Sequence, residues 1–174
     1  MKKRLTNMPG KMRGKLRGTY APRSIKYATW GFISGTLSIL AILAVTKMAG
    51  FPLLIGSFGA SAVLLFGAND SPLAQPRNLV GGHLISATVA VVMVSLFGSN
   101  PVAIAVSVGI AIFLMYITNT IHPPGGATAL IGVQGHAGFD FLLIPVLAGV
   151  LILLAVALFT NNLVHHRQYP KHWI

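Results

Sequence analysis

The sequence predicts an all-α integral membrane protein: a polytopic bundle of two three-segment repeats, each a helix, a broken half-helix and a second helix, with inverted relative orientation. Three observations lead there: an apolar composition, segments of membrane-spanning length, and self-similarity at an offset of 67 residues. Of 174 residues, 54% are hydrophobic and 9% charged, with a mean hydropathy of +0.74. A single water-soluble core of this size could not hide that much apolar surface.

Four stretches approach the ~20 residues that cross a bilayer as helix: 27–46, 79–98, 101–118 and 141–162. Between them lie two shorter apolar stretches, 51–67 and 119–134, rich in Gly, Pro and small residues. Ungapped displacement by 67 positions sets "GASAVLL" at 59 on "GATALIG" at 126, and "VGGHLI" at 80 on "LAGVLI" at 147. The units are therefore expected over 27–98 and 101–162, giving four full spans plus two interrupted segments. If each short stretch is part extended, at about 3.3 Å per residue, and part helical, at about 1.5 Å, it reaches across a core of about 30 Å. Three passes per unit then make the two units inverted; the alternative is four crossings with two re-entrant loops, which would also place Arg77 outside.

The net charge of +11 is uneven, since nine of thirteen basic residues lie between Lys2 and Lys26. A polybasic run just before a first apolar segment fixes its side as cytoplasmic and leans on anionic lipid headgroups, so nucleic acid is not the expected partner. The basic run is long and the segment after it has full spanning length, so that segment is expected to be retained rather than cleaved as a signal peptide. Residues 1–26 read as a basic cytoplasmic tail, 27–162 as the membrane domain and 163–174 as a short basic cytoplasmic tail. Without a cysteine there is no disulfide, thiol nucleophile or thiolate metal site.

The two broken segments carry the functional expectation. In "TNTIHPPGGATALIG", residues 118–132, Pro123 and Pro124 lack amide hydrogens and hold the preceding residues out of a helix. Gly125 and Gly126 let other backbone approach closely. Helix is expected from there onward, its first amides unpaired at membrane depth and suited to an anion. Gly125, Gly126, Ala127 and the Thr128 hydroxyl form one half of the expected binding site. A helix start at Gly59 and Ala60, with Ser57 and Ser61, forms the other. The two starts are expected to face each other near the midplane.

His122 adjoins this site and is expected to bind substrate, gate the path or carry a proton. Asn78, His83 and Asn119 are polar residues at or inside the apolar region and are expected to line a pathway. Neither Asp70 nor Asp140 falls within a spanning segment, which disfavours a carboxylate relay for cations and suits an anion.

"IHPPGGATALIG", "FGASAVLLFG" and "SPLAQPRNLVGGHLISA", in the context of these apolar helices, resemble the HPP family of bacterial and plastid membrane proteins. The resemblance covers about residues 25–162 and places the family's His-Pro-Pro at His122, Pro123 and Pro124. It implies an integral membrane protein of about four spans and, since some cyanobacterial and chloroplast members are implicated in nitrite transport, a small inorganic anion such as nitrite as substrate. A prokaryotic inner membrane is the expected location.

Together these readings predict a transporter or channel for a small monovalent anion, not an enzyme, without cofactor or metal. Close packing of small residues between helices predicts a homo-oligomer. The alternatives are a membrane-embedded metalloenzyme using His83 and His122, whose two ligands fall short of the usual three, and a noncatalytic scaffold.

Overall fold

The computed structural model describes residues 24–174. Most of the basic tail expected over 1–26 therefore lies outside the described residues. The secondary structure is helical throughout: α1 (Ile25–Ala49), α2 (Gly56–Ala62), α3 (Pro76–Phe97), α4 (Pro101–Ile117), α5 (Pro123–Gln134) and α6 (Ala148–Asn162). α2 runs on into a π-helical turn, Val63–Gly67, and α6 is preceded by another, Leu142–Leu147. A 3-10 turn, Pro72–Ala74, precedes α3.

Local chemistry sets the boundaries. Ser24 caps α1, its side chain accepting from the Tyr27 amide, and Gly50 ends the helix at φ +75°. Prolines stand in the first turns of α3, α4 and α5, where no helical amide partner is lost. Asn100 caps α4 by accepting from the amides of Val102 and Ala103.

Three helical stretches are long and apolar enough to cross a membrane: Ile25–Ala49, Pro76–Phe97 and Leu142–Asn162. α4, the fourth expected span, has 17 residues, or about 25 Å of helix at about 1.5 Å per residue. Both short segments are interrupted, as the sequence predicts, with non-helical backbone at 51–55 and 119–122. Their helices begin earlier than expected. α2 starts at Gly56 rather than Gly59, and α5 at Pro123 rather than Gly125. Both prolines fit in the first turn because only deeper positions demand an amide hydrogen.

The described loops and the carboxy-terminal segment sort to two faces. On the first, Tyr27 Oη donates to the His166 carbonyl at 3.0 Å, Trp30 Nε1 donates to the Thr160 carbonyl at 3.0 Å, and Arg77 donates to the Thr118 carbonyl at 2.8 Å. Phe51, Pro52, Asp140 and Leu143 line one cavity on the opposite face.

The apolar core joins α1, α2, α3 and α6 through Ile42, Phe58, Leu65, Leu79, Val150 and Leu153, all buried. A second cluster, Val89, Ala90, Met93, Ala103 and Val133, ties α3 to α4 and α5. Close approach here depends on glycine. A Cβ at Gly82 would lie 2.5 Å from the His122 Cβ and 3.0 Å from the Thr120 carbonyl oxygen. At Gly149 it would run into the Phe58 ring.

A candidate solute-binding site between two half-helices

α2 and α5 lie side by side and antiparallel. Gly56 faces the Ile131 side chain, Ser57 Oγ lies 2.9 Å from Thr128 Oγ1, and Ser61 Oγ lies 2.9 Å from His122 Nε2. As the residue number rises along one helix, it falls along the other. The sequence reading sets the two helix starts tip to tip; instead the helices overlap over more than a turn, bringing side chains rather than amino ends together.

Of the amides expected to serve at α5, that of Gly125 is spent, since it donates to the His122 carbonyl at 2.8 Å. What fills the space is a network of side chains. His83 Nε2 and His122 Nε2 both lie against Ser61 Oγ, at 2.8 and 2.9 Å. His83 Nδ1 is 2.7 Å from Thr128 Oγ1, which donates to Ser57 Oγ at 2.9 Å. His122 Nδ1 is 2.8 Å from the carbonyl oxygen of Leu73. Ser57, Ser61, His83, His122 and Thr128 are all at most 1% exposed.

Each member is held by its own element. His122 is the N-cap of α5, extended at φ −138° because the proline after it disfavours helical backbone. His83 projects from the middle of α3 and is wedged edge-on against the Phe58 ring, centroids 5.5 Å apart. Ser57 and Ser61 stand one turn apart on α2, and Ser61 Oγ has a second acceptor in the Ser57 carbonyl at 3.2 Å. Ser86, one turn beyond His83, is fully buried, with its hydroxyl unpartnered among the described residues and beside Gly125.

Five of the residues singled out from the sequence thus meet: Ser57, Ser61, His83, His122 and Thr128. Gly125 packs under them, its Cβ position 2.8 Å from the Gly82 carbonyl oxygen, with Gly126 and Ala127 half-buried in the same turn. Gly59 and Ala60 do not join the cluster. They are exposed, and Gly59 lines a groove of about 710 Å³ between α1 and the outer side of α2. Their register explains it: Ser57 and Ser61, four residues apart, take the inner face and leave the residues between them to the other side.

Asn78 and Asn119 lie away from the network, in a cavity of about 350 Å³ at the first face. Leu73, Arg77, Ile121 and His172 also line it. Asn78 Nδ2 donates to the Ile121 carbonyl at 2.8 Å and so pins the extended stretch. Asn119 sits at φ +54°, a conformation asparagine tolerates, where the chain turns out of α4.

Sequence reasoning missed the carboxy-terminal strap. Residues 163–174, expected as a short basic tail, fold back over the first face. Arg167 Nη1 donates to the Phe66 carbonyl at 2.8 Å, Nη2 donates to the Tyr27 carbonyl at 3.0 Å, and the guanidinium lies 5.0 Å above the Tyr27 ring. Tyr169 Oη donates to the Ala74 carbonyl at 2.8 Å, and burial pushes its phenol pKa up. Lys171 pairs with Asp70 at 3.1 Å. An arginine and a tyrosine among polar neighbours were the signal available.

The family model described as HPP, transmembrane region, matches residues 21–170. A transmembrane protein of Dictyostelium discoideum is 46% identical over 156 residues, 83% of this chain and 55% of its own. A second from the same organism is 47% identical over 158 residues, 83% of this chain and 50% of its own. The chain thus spans about half the length of these curated relatives. No solved structure matches.

Proposed function

We propose a function for a chain that belongs to the HPP transmembrane family: a membrane transporter for a small monovalent anion, nitrite first, with the polar network between α2 and α5 as its passage point. The carrying observation is the antiparallel pairing of two interrupted helices around five buried polar side chains. Polar groups are costly at membrane depth and tend to mark solute paths. Interrupted helices in matching halves mark transport sites.

A pair of equivalent contacts supports the inverted repeat. Gly149 packs on Phe58, and Gly82 packs on Gly125. Displacing 58 and 82 by 67 gives 125 and 149, so one contact becomes the other with its halves exchanged, as a pseudo-twofold axis in the membrane plane requires. The basic residues fit a cytoplasmic first face. Lys26, Arg77, Arg167 and Lys171 lie there, and Lys47 lies at the other end of α1. On this reading both termini are cytoplasmic, the basic tail leans on anionic lipid, and the chain forms a homo-oligomer through its exposed apolar faces.

The recognising donors are the hydroxyls of Ser57, Ser61 and Thr128 and the imidazole N–H groups, with Ser86 as a spare. Amides of Gly126 and Ala127 stand behind them in α5. All five clustered side chains are buried and bonded to one another, so solute enters by parting α2 from α5. Two imidazoles and three hydroxyls suit an anion better than a catalytic metal, which takes about three strong protein ligands.

The test is uptake of nitrite, nitrate and formate into liposomes holding the purified protein, with protein-free liposomes as the background. Saturable flux for at least one anion is expected. A noncatalytic scaffold gives none, and Thr128→Val, which changes flux on the transport reading, leaves its role in cells intact.

A further inference from the structure

We infer that the His122–Ser61–His83 chain carries one proton with each anion, so that transport is electroneutral symport; this rests on the anion-transport reading above. The inference follows from counting hydrogens. Five links run in series: Leu73 carbonyl to His122 Nδ1, His122 Nε2 to Ser61, Ser61 to His83 Nε2, His83 Nδ1 to Thr128, and Thr128 to Ser57.

A carbonyl only accepts, so His122 Nδ1 carries hydrogen. At the other end Thr128 spends its hydrogen on Ser57, so His83 Nδ1 must donate to Thr128. Filling every link then takes five hydrogens from His122, Ser61, His83 and Thr128. With both imidazoles neutral these groups hold four. With Thr128 donating to Ser57, the network is complete when the histidine pair holds one proton beyond neutrality. The neutral pair completes the same links only with the last four reversed: Ser57 donates to Thr128, Thr128 to His83 Nδ1, His83 Nε2 to Ser61, and Ser61 to His122 Nε2. Adding a proton at His122 Nε2 with those four bonds reversed puts the positive charge on His122, and reversing only the two bonds through Ser61 then passes it to His83 without moving a heavy atom. Two longer competing acceptors are the Ser57 carbonyl, at 3.2 Å from Ser61 Oγ, and the Pro124 carbonyl, at 3.4 Å from Thr128 Oγ1.

Among the described residues the charge this adds has no partner. His83 and His122 face each other, ring centroids 4.9 Å apart. α2, α5 and α6 bring no charged group to them, and the 3-10 turn brings only the Leu73 carbonyl. Arg77 of α3 is spent on the Thr118 carbonyl, and Tyr116 of α4 is exposed. Asp70 is at the surface with Lys171. A buried cation without a carboxylate calls for an anion from outside. The proton thus raises affinity for the anion, and by reciprocity the anion raises affinity for the proton. The proton's entry is the first-face cavity, where Leu73 and His172 form the wall.

The test uses liposomes holding the full chain, internal pyranine, a valinomycin-clamped voltage, and nitrate and nitrite as probes. Expected are internal acidification of one proton per anion and a rate unchanged by imposed potential. Ser61→Ala lowers protons moved per anion at least about tenfold, the scale of losing a positioned proton-transfer group, and Ser61→Thr restores them. Anion flux that follows the potential without acidification overturns the inference while leaving the transport reading intact. Absence of flux for both probes removes that reading instead. If Ser61→Ala does not fold, the wild-type stoichiometry decides alone.

Discussion

His83 and His122, from two different elements, point the same ring nitrogen at one hydroxyl: their Nε2 atoms lie 2.8 and 2.9 Å from Ser61 Oγ. Neither histidine is a spare core residue. Each also uses its other nitrogen, His83 on Thr128 and His122 on Leu73, so four segments are fastened at one buried point.

Replacing either histidine by leucine therefore does more than remove a ring. His122→Leu leaves Ser61 and the Leu73 carbonyl each short of a partner, and His83→Leu does the same to Ser61 and Thr128. Each variant is expected to lose about 1–3 kcal/mol of stability, read as a lower unfolding midpoint in detergent. Anion flux falls by at least about tenfold, since positioning groups at a site commonly contribute that much.

Gly82→Ala tests the packing that brings His122 to the network. The added methyl would sit 2.5 Å from the His122 Cβ, so α3 and α5 must part. Overpacking of this kind costs about 1–3 kcal/mol. Gly109→Ala on α4, with nothing within 4 Å, is the matched control and should leave the unfolding midpoint in place or raise it.

Arg167→Lys tests the strap. The guanidinium bonds the carbonyls of Phe66 and Tyr27 and the Asn161 side chain together. A lysine has no planar fork and cannot hold all three. A loss of about 1–3 kcal/mol is expected, seen by thermal unfolding, with the strap becoming sensitive to protease before the helices do.

Tyr169 gives a pH signature. Burial raises its folded-state pKa above the ordinary value of about 10, so the folded chain holds the phenol proton more tightly than the unfolded one. Its contribution is complete below about pH 10 and is lost as pH rises beyond it. Unfolding midpoints measured from pH 8 to pH 11 should fall at the alkaline end for the natural chain. Tyr169→Phe should start lower and show less of that fall.

Much of this was legible in the letters because membranes constrain sequence strongly. The apolar runs marked the long helices, and the offset of 67 residues placed Ser57 and Ser61 in correspondence with Pro124 and Thr128. His83, His122 and Thr128 were identifiable because polar side chains are rare in such runs. The depth and overlap of α2 and α5 were not legible, since Gly56 and Gly59 look alike in sequence and only tertiary packing selects the start. That choice turned Gly59 and Ala60 outward and left Ser57 and Ser61 to meet His122, His83 and Thr128 in the buried network. The strap was hidden because its bonds run from Arg167 and Tyr169 to backbone carbonyls up to 140 residues away, which no local pattern reports.

The chain contains no cysteine, so a single Thr128→Cys variant offers one thiol at the centre of the network without further engineering. The decisive measurement is its reaction, in liposomes carrying out anion uptake, with a small negatively charged thiosulfonate, in the presence and absence of nitrite. A solute path through the network predicts steady modification that nitrite slows in proportion to its occupancy. A thiol that stays unreactive while nitrite is being taken up would contradict it, because the anion would then be crossing elsewhere.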